Sequence, residues 1–559
     1  MNTLDTIVKH VDVLPLAKYY MDQLDLAKLF NKYVPQSEKM DVAPAQVLCM
    51  MVLNIVDAAR PLYRVEEWFG DYLDGVSETG IEASQYNDDR LGRCLDKLFK
   101  ADRASFMAEV TRQAVELHGL ETDRIHNDTT SITFAGAYEE EEADAVKLKL
   151  GLNKDHRPDC KQVVFGINIT EDGHIPLSYH LYDGNQADVS THQPNWNGLR
   201  SLLEKEDFIY VADSKLCSLK TLTTIADHNG KFVTIVPRNF NEVSQFLERV
   251  AEGEQVTWQH TYKKASARKK GEFITYRIHE GEALRGGYRI LWVHSSTKQA
   301  KESGAREQRL QRVEAKLENL VPKLNARKLK TREQIKQKVD DIIASDGNLI
   351  QVSIQAKKLV KRVKATPGRP GKNSLYRRKT KTTYHIDWKR NEGAIAKASR
   401  TDGLFPLVDN TEMKPVDVLT TYKNQSFLEK RFFTSKSVLD VMPVFLNRPS
   451  RIEAIIFLYF LGLMLVSLIE RNIRTEMARQ DVKVLPILPT AKKTKAPTWS
   501  NIKYFFRSIY LSIIMSEKKV IQHAVKGITT MHEQILRLLA VPIDIYNNIR
   551  DGWWEFSLQ

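Results

Sequence analysis

Two aspartates stand where aspartate is disfavoured. Asp128 lies inside RIHNDTTSITF, residues 124–134, whose β-branched and aromatic residues read as a strand, and Asp213 follows directly on the strand-like FIYVA. Most of the 70 acidic residues are expected to be surface charges, caps or turn formers, so it is the strand setting that singles these two out. Carboxylate oxygens suit a hard divalent cation. Mg²⁺ takes oxygen ligands in octahedral geometry and is typically held by one or two carboxylates together with phosphate oxygens and water. Two such ions about 4 Å apart can activate a water or a 3′-hydroxyl and stabilise the leaving oxygen of a phosphodiester. Two carboxylates on neighbouring strands would form most of that arrangement, leaving a third acid to be found.

A helix over 422–440 offers one. Tyr422, Gln425, Glu429 and Lys436 fall at offsets 0, 3, 7 and 14, which at about 100° per residue places all four within roughly 60° of one face. Glu429 can then point at the cations while Tyr422 and Lys436 reach phosphate oxygens on either side, positioning a strand without reading its sequence. The same spacing also describes an ordinary amphipathic helix of mixed charge. His126 shares a strand face with Asp128 by the period of two, and it can either hydrogen-bond a ligand or simply pack.

The elements that must position these residues follow from periodicity. Strands are expected at 124–134, 162–169, 175–182, 207–212 and 232–236, with helices at 191–204 and 219–228 between them, an α/β layer pattern with a mixed sheet. Residues 1–120 read as a helical domain, with Asn87-Asp88-Asp89 capping a helix and Pro61 interrupting another. Residues 121–240 form the first part of the α/β core and 241–420 a basic strand/helix insertion, with strand-like 273–277 and 288–294 and a helix carrying Leu310, Val313, Leu317, Leu320 and Leu324. Residues 421–480 return to the core, and 481–559 are a linker and a C-terminal helical region.

Length and charge bound the function. At about 150 residues per domain, 559 residues with 42% apolar content make three or four structural units. The net charge is +13, yet from Ser296 to Arg390 there are 26 Lys/Arg against 9 Asp/Glu, a local balance of +17, so the remainder sums to −4. Basicity so confined is the footprint of a nucleic-acid partner rather than of a small neutral metabolite. The apolar run Ala454–Ile469 has 16 residues, short of the ~20 needed to cross a bilayer, and is expected to be a buried core helix. Cys49, Cys94, Cys160 and Cys217 are too far apart for CxxC chemistry and no secretory leader pattern opens the sequence, so a reducing cytoplasmic setting is expected. GRPGKN fails the phosphate-loop spacing, so no ATP requirement is expected. Arg369 in PGRPGK, 367–372, suits a minor-groove hook or a basic loop, and the acidic run Glu139–Glu142 is expected to be solvated.

Taken together these residues resemble bacterial insertion-sequence transposases of the DDE type with a Tyr-Arg-Glu-Lys signature. The spacing Y-x2-R-x3-E-x6-K is met by Tyr422, Glu429 and Lys436, with Gln425 in the arginine place; Asp128 in HNDTTS and Asp213 in YVADSKL match the two aspartates. GHIPLSYHLYDGNQAD, 173–188, is similar to the segment between them, and the likeness runs roughly from 85 to 475.

The resemblance implies an RNase H-like core interrupted by an insertion, with Asp128, Asp213 and Glu429 holding two Mg²⁺ or Mn²⁺ ions for strand cleavage and transfer on duplex DNA. It also implies a homodimer that holds two element ends. A neutral amide at Gln425 cannot make the charged bidentate clamp of an arginine, and Lys430 or Arg431 can take that role. Trp292, in YRILWVH, is the candidate for stacking on a flipped base and equally for a core position. Three other readings use the same residues: an RNase H-like nuclease without transfer activity, a non-catalytic DNA-binding derivative, and an RNA-binding scaffold.

Overall fold

The computed structural model describes residues 4–36, 41–58, 60–72, 82–134, 136, 138, 142–151, 157, 159–187, 190–266, 271–326, 328–344, 346, 348–365, 367–369, 371, 375–439, 446–516, 519–549, 553–554 and 556–558. In chain order the strands are β1 (Leu4–His10), β2 (Arg124–Phe134), β3 (Lys161–Thr170), β4 (Pro176–Tyr182), β5 (Ile209–Val211), β6 (Lys231–Ile235), β7 (His260–Ala265) and β8 (Phe273–Glu280). There follow β9 (Arg289–Ser295), β10 (Ile350–Lys364), β11 (Tyr376–Arg390), β12 (Leu404–Asp409), β13 (Leu485–Leu488), β14 (Lys492–Thr494), β15 (Tyr510–Ser516) and β16 (Lys519–Lys526). The chain divides into two units, one of residues 1–234, 410–412 and 420–559, the other of 235–409 and 413–419.

In the first unit a mixed sheet runs in the order β4-β3-β2-β5-β6. β2, β3 and β4 pair antiparallel, while β5 lies parallel to β2 and β6 parallel to β5. The parallel pairs need crossovers, which the helices His192–Leu203 and Leu219–Asp227 supply. These are the strands and helices expected from the sequence, to within two residues at most ends. β3 is buried along nearly its whole length, as its run of apolar residues requires.

The rest of the first unit packs around one helix, Pro449–Arg479, which is long and apolar enough to cross a membrane by composition and is mostly buried here within the protein. It lies against Pro44–Asp57 and Asp88–Lys100. Gly462 permits the close crossing, since a Cβ there would stand 3.1 Å from Ile55 Cγ2 and 3.3 Å from Val56 Cγ1. Asn87 caps Asp88–Lys100 as expected, accepting from Arg90 N. The termini depart from expectation. Residues 1–120 are not helical throughout, because β1 pairs with β15 from Leu4↔Ser516 to His10↔Tyr510, and the region 481–559 contains four strands as well as helices. The two ends of the chain therefore share one sheet, β1-β15-β16. A lone amphipathic strand at one end carries no local cue that its partner lies some 500 residues away.

In the second unit β12, β9, β8 and β7 pair antiparallel in that order, with Ser296–Leu320 packed on β8 and β9. Leu310, Val313, Leu317 and Leu320 of that helix form a separate small core with Ile335, Val339, Ile350 and Ile386. The basic sequence on either side of 367–372 forms two strands that were not expected: β10 and β11 are 15 residues each and pair without a register shift from Ile350↔Arg390 to Lys364↔Tyr376. All four cysteines are buried and free.

Candidate active site

The parallel register of β2 and β5 brings the two aspartates level. His126 pairs with Val211, the last pair of the ladder, so Asp128 and Asp213, each two residues further on, lie on the same side of that last pair, Asp128 within β2 and Asp213 in the turn after β5. Both are half-buried. Asp128 Oδ1 accepts from Thr129 N at 2.7 Å, Asp213 Oδ1 from Lys215 N at 2.9 Å, and Thr234 Oγ1 donates to the Asp213 carbonyl at 2.6 Å. The Asp213 bond is an aspartate turn that ends β5 and fixes the carboxylate at the strand's carboxyl end.

Tyr422 lies within electrostatic reach of this pair. Burial, then the Asp213 and Asp128 charges, push its phenol up to about 12, so it stays a protonated donor at neutral pH. Burial, then Tyr182 and the same two carboxylates, raise the phenol of Tyr210 against the Asn195 hydrogen bond. Tyr210 ends a buried polar chain in which its OH accepts from Asn195 Nδ2 at 2.8 Å, and Asn195 and Asn127 both donate to Asn168 Oδ1, at 2.8 and 2.9 Å. Sequence reasoning missed this chain, although Asn127 and Asn168 inside strands were as anomalous as Asp128.

The helix expected over 422–440 is three pieces: the end of Pro415–Asn424, then Ser426–Phe433, then a π-helical turn, Thr434–Val438. A uniform 100° per residue therefore does not hold from Tyr422 to Lys436, and Lys436 lies in the π turn. Gln425 sits at the first break and anchors it to β2. Its Nε2 donates to the Asn127 carbonyl at 2.6 Å, which leaves Oε1 to accept from His126 Nδ1 at 3.0 Å. His126 is fully buried, and its Nε2 lies 3.6 Å from Glu171 Oε2. Burial raises the Glu171 carboxyl, but the His126 bond, the Arg124 charge and the Asn424 amide outweigh it and hold it below the usual carboxylate range. Gln425 is thus hydrogen-bonded at both ends of its amide within the protein.

Glu429 lies one turn beyond Gln425, in the first turn of Ser426–Phe433, and is exposed. Among the described residues no three carboxylate, imidazole or thiolate groups gather closely enough to hold a metal ion. The fold brings together Asp128, Asp213 and Tyr422 and leaves Glu429 outside that cluster. The donor set of the pair, two half-buried carboxylates with no cation salt-bridged to Asp213 among the described residues, is that of a hard divalent cation.

The remaining candidates separate. Lys430 is exposed, its Nζ 4.4 Å from the Phe427 ring centroid, and is open to a phosphate. Arg431 is not: its side chain is 5% exposed, it pairs with Glu470 at 2.8 Å, and it donates to the carbonyls of His174 and Gly173 at 2.8 Å each. Trp292 is a core residue, 2% exposed and stacked on Phe246 with centroids 3.8 Å apart, so no base can reach its face. Arg369 is exposed beyond the end of β10; Pro370 and Lys372 of the expected hook lie outside the described residues, as do Glu139–Glu141 of the acidic run. The fourth acid of that run, Glu142, is not free in solvent but accepts from Ser450 N at 2.7 Å and pairs with Arg448.

The site belongs to a mixed α/β protein with one aspartate inside β2 and a second just past the end of the adjacent parallel strand β5. Residues 6–112 match the model of a domain of unknown function, DUF4277. No curated protein sequence matches the chain. Over 48% of its length the chain is similar, at 11% identity and a TM-score of 0.27, to the solved structure titled "Cryo-EM structure of piggyBac transposase synaptic complex with hairpin DNA (SNHP)". That region spans 57% of the other chain, a likeness to a transposase that is distant in both sequence and shape.

Proposed function

We propose that the protein is a DDE-type transposase of an insertion sequence, which binds the terminal inverted repeats of its element, cuts there and joins the freed 3′-hydroxyl to target DNA. The observation that carries this reading is the parallel pairing of β2 with β5, which puts Asp128 and Asp213 on neighbouring chain segments, with the Tyr422 phenol raised by burial and then by the charges of both. The order β4-β3-β2-β5-β6, antiparallel in its first three strands and parallel in the last three, supports an RNase H-like core. The residues fit Mg²⁺ or Mn²⁺, two ions of which, when bound, supply Lewis acidity at the attacking and leaving oxygens. Asp128 and Asp213 hold the cation side of the site, and Tyr422 donates a hydrogen bond to a phosphate oxygen beside them. Glu429, one turn from the Gln425 anchor, completes the acid set by turning inward when DNA covers it, and Lys430 and Lys436 hold the backbone on the helix side. Two copies would hold two element ends, and no nucleotide triphosphate takes part.

A substrate duplex carrying the DNA that flanks the gene tests this, with Mg²⁺ or Mn²⁺, reading cleavage and end joining separately. Asp213→Asn is expected to lower cleavage by more than about 100-fold, since loss of even an outer-shell partner of a metal site costs 10–100-fold, while duplex binding is kept. Unchanged cleavage in the variant would overturn the assignment. Cleavage without joining would favour the nuclease reading, which uses the same pair.

A further inference from the structure

The β10–β11 hairpin has two halves of opposite character. Its root is held: Ile350 and Ile386 are buried in the small core, and Val352, Ile354, Tyr384 and Trp388 pack against that core. Asn325 clamps the root, donating to the Tyr384 carbonyl at 2.8 Å and accepting from Tyr384 N at 2.6 Å, and Arg390 is fixed between Glu307 and Glu314. Beyond Tyr384 the ribbon leaves the core, and residues 356–363 and 376–382 are exposed. Two-stranded hairpins have little stability of their own in water, so this projection is carried by its root.

Charge makes the outer half stranger still. From 347 to 386 the sequence has 11 Lys/Arg and no Asp or Glu. Register sets Lys361 opposite Lys379 and Arg362 opposite Arg378, and like charges directly opposite on a sheet are destabilising. Adjacent pairs point to opposite faces, so both faces are cationic. None of these four side chains has an acidic partner among the described residues. Basic residues of this unit that pack nearer its core are treated differently, Arg306 being paired with Asp402, Arg289 with Asp409 and Arg390 with two glutamates. A repulsive, acid-free projection on a well-anchored root is complementary to a polyanion outside the chain.

Dimensions select the polyanion. The nine residues of β10 from Ala356 to Lys364 extend about 30 Å at 3.3 Å per residue, close to the ~34 Å of one turn of B-form DNA. A two-stranded ribbon fits the ~12 Å major groove of B-form DNA, whereas the deep, narrow major groove of A-form RNA does not admit it. Leu359, Val360 and Val363 are 41%, 59% and 39% exposed between the cations, and apolar side chains at such places can meet thymine methyl groups.

We infer that the outer half of the β10–β11 ribbon lies in the major groove of duplex DNA, with the Lys361/Lys379 and Arg362/Arg378 pairs on the phosphates of the groove walls. This rests on the proposed action on DNA and assigns it a groove and an element. The test uses the full chain and a labelled 25-base-pair duplex at several salt concentrations. Replacing Lys361, Arg362, Arg378 and Lys379 with Gln is expected to weaken binding at least about 10-fold near physiological salt. The slope of log affinity against log salt should flatten by about 3.6, at roughly 0.9 per phosphate contact. The two pairs replaced separately should each flatten it by about 2, which guards against a folding defect in the fourfold variant. Guanine N7 protection from dimethyl sulfate over about ten base pairs is expected with the native chain and not with the variant.

Unchanged slope and affinity would overturn the inference, as would equal competition by duplex RNA or protection confined to the minor groove. Footprinting and cleavage fail independently. A native chain that protects N7 but never cuts would sink the transposase reading alone, while one that cuts without N7 protection would sink the ribbon assignment alone.

Discussion

The acid pair and the ribbon handle charge in opposite ways. On the segments around Asp128 and Asp213 several polar side chains are committed to partners in the protein: Gln425 is bound at both ends, Glu171 accepts from Arg124 and Asn424, and Arg431 is spent on Glu470 and two carbonyls. On the ribbon cations face cations across the strands with no counter-charge. The first region spends its interactions on holding a small constellation still, as preorganised chemistry requires. The second leaves its charges unmatched for something that arrives from outside. Conserving charge inside the molecule and exporting it are thus separate tasks given to separate units.

That contrast can be broken from the side of the site first. Arg431→Met leaves Glu470 buried without its main counter-charge, and a broken buried pair costs about 3 kcal/mol or more. Trp499 N still donates to Glu470 at 2.8 Å, so the loss is expected near that lower figure, read as a fall in the denaturant midpoint of the first unit. An unshifted midpoint would show that Arg431 is not structural and would return it to the DNA-contacting set.

Acid attacks the same region. Burial, then the Arg431 charge, pushes His174 down to about 3, and burial, then Arg471, pushes His118 down to about 4. The unfolded chain takes up protons near pH 6.5 that the folded chain refuses. Stability therefore rises with pH through this window and is lost as pH falls below about 6.5, by up to ~1.4 kcal/mol per pH unit for each imidazole. Thermal unfolding between pH 7 and 5 checks this, and replacing His174 with Gln should make the slope shallower.

Gln425→Ala removes two hydrogen bonds that seat the Glu429 helix on β2. The expected effect is about a 10-fold fall in cleavage, because small displacements of a positioned group are costly, with duplex affinity unchanged. Equal loss of binding and cleavage would mean that Gln425 touches DNA after all. The smallest effect is on the ribbon, where Lys361→Gln with Arg378→Gln should change folding stability by only a few tenths of a kcal/mol, and in the stabilising direction. A clear destabilisation would show that those charges are already matched within the molecule.

Legibility in the sequence followed how local each determinant was. β2 to β6 and their crossover helices were readable because β-branched runs and turn residues lie within each segment. Asp128 and Asp213 were found by their misfit within those runs. The ribbon was missed because lysines and arginines fill both faces of its outer half, which erases the alternation that marks a strand, although Ile350, Val352 and Ile354 keep it at the root. Gln425 was taken as a weakened phosphate contact, since nothing local reveals that His126 and the Asn127 carbonyl wait about 300 residues upstream. Trp292 could be read as core or as a base platform until Phe246 was found stacked on it.

The most direct test of the central claim is Mn²⁺ binding to the full chain in the absence of DNA, followed by titration calorimetry. The native chain should bind with an affinity that falls at least about 10-fold in Asp128→Asn and in Asp213→Asn alike, with the thermal unfolding of all three chains the same. Native-like Mn²⁺ binding by either variant would contradict a cation site shared by Asp128 of β2 and Asp213 after β5.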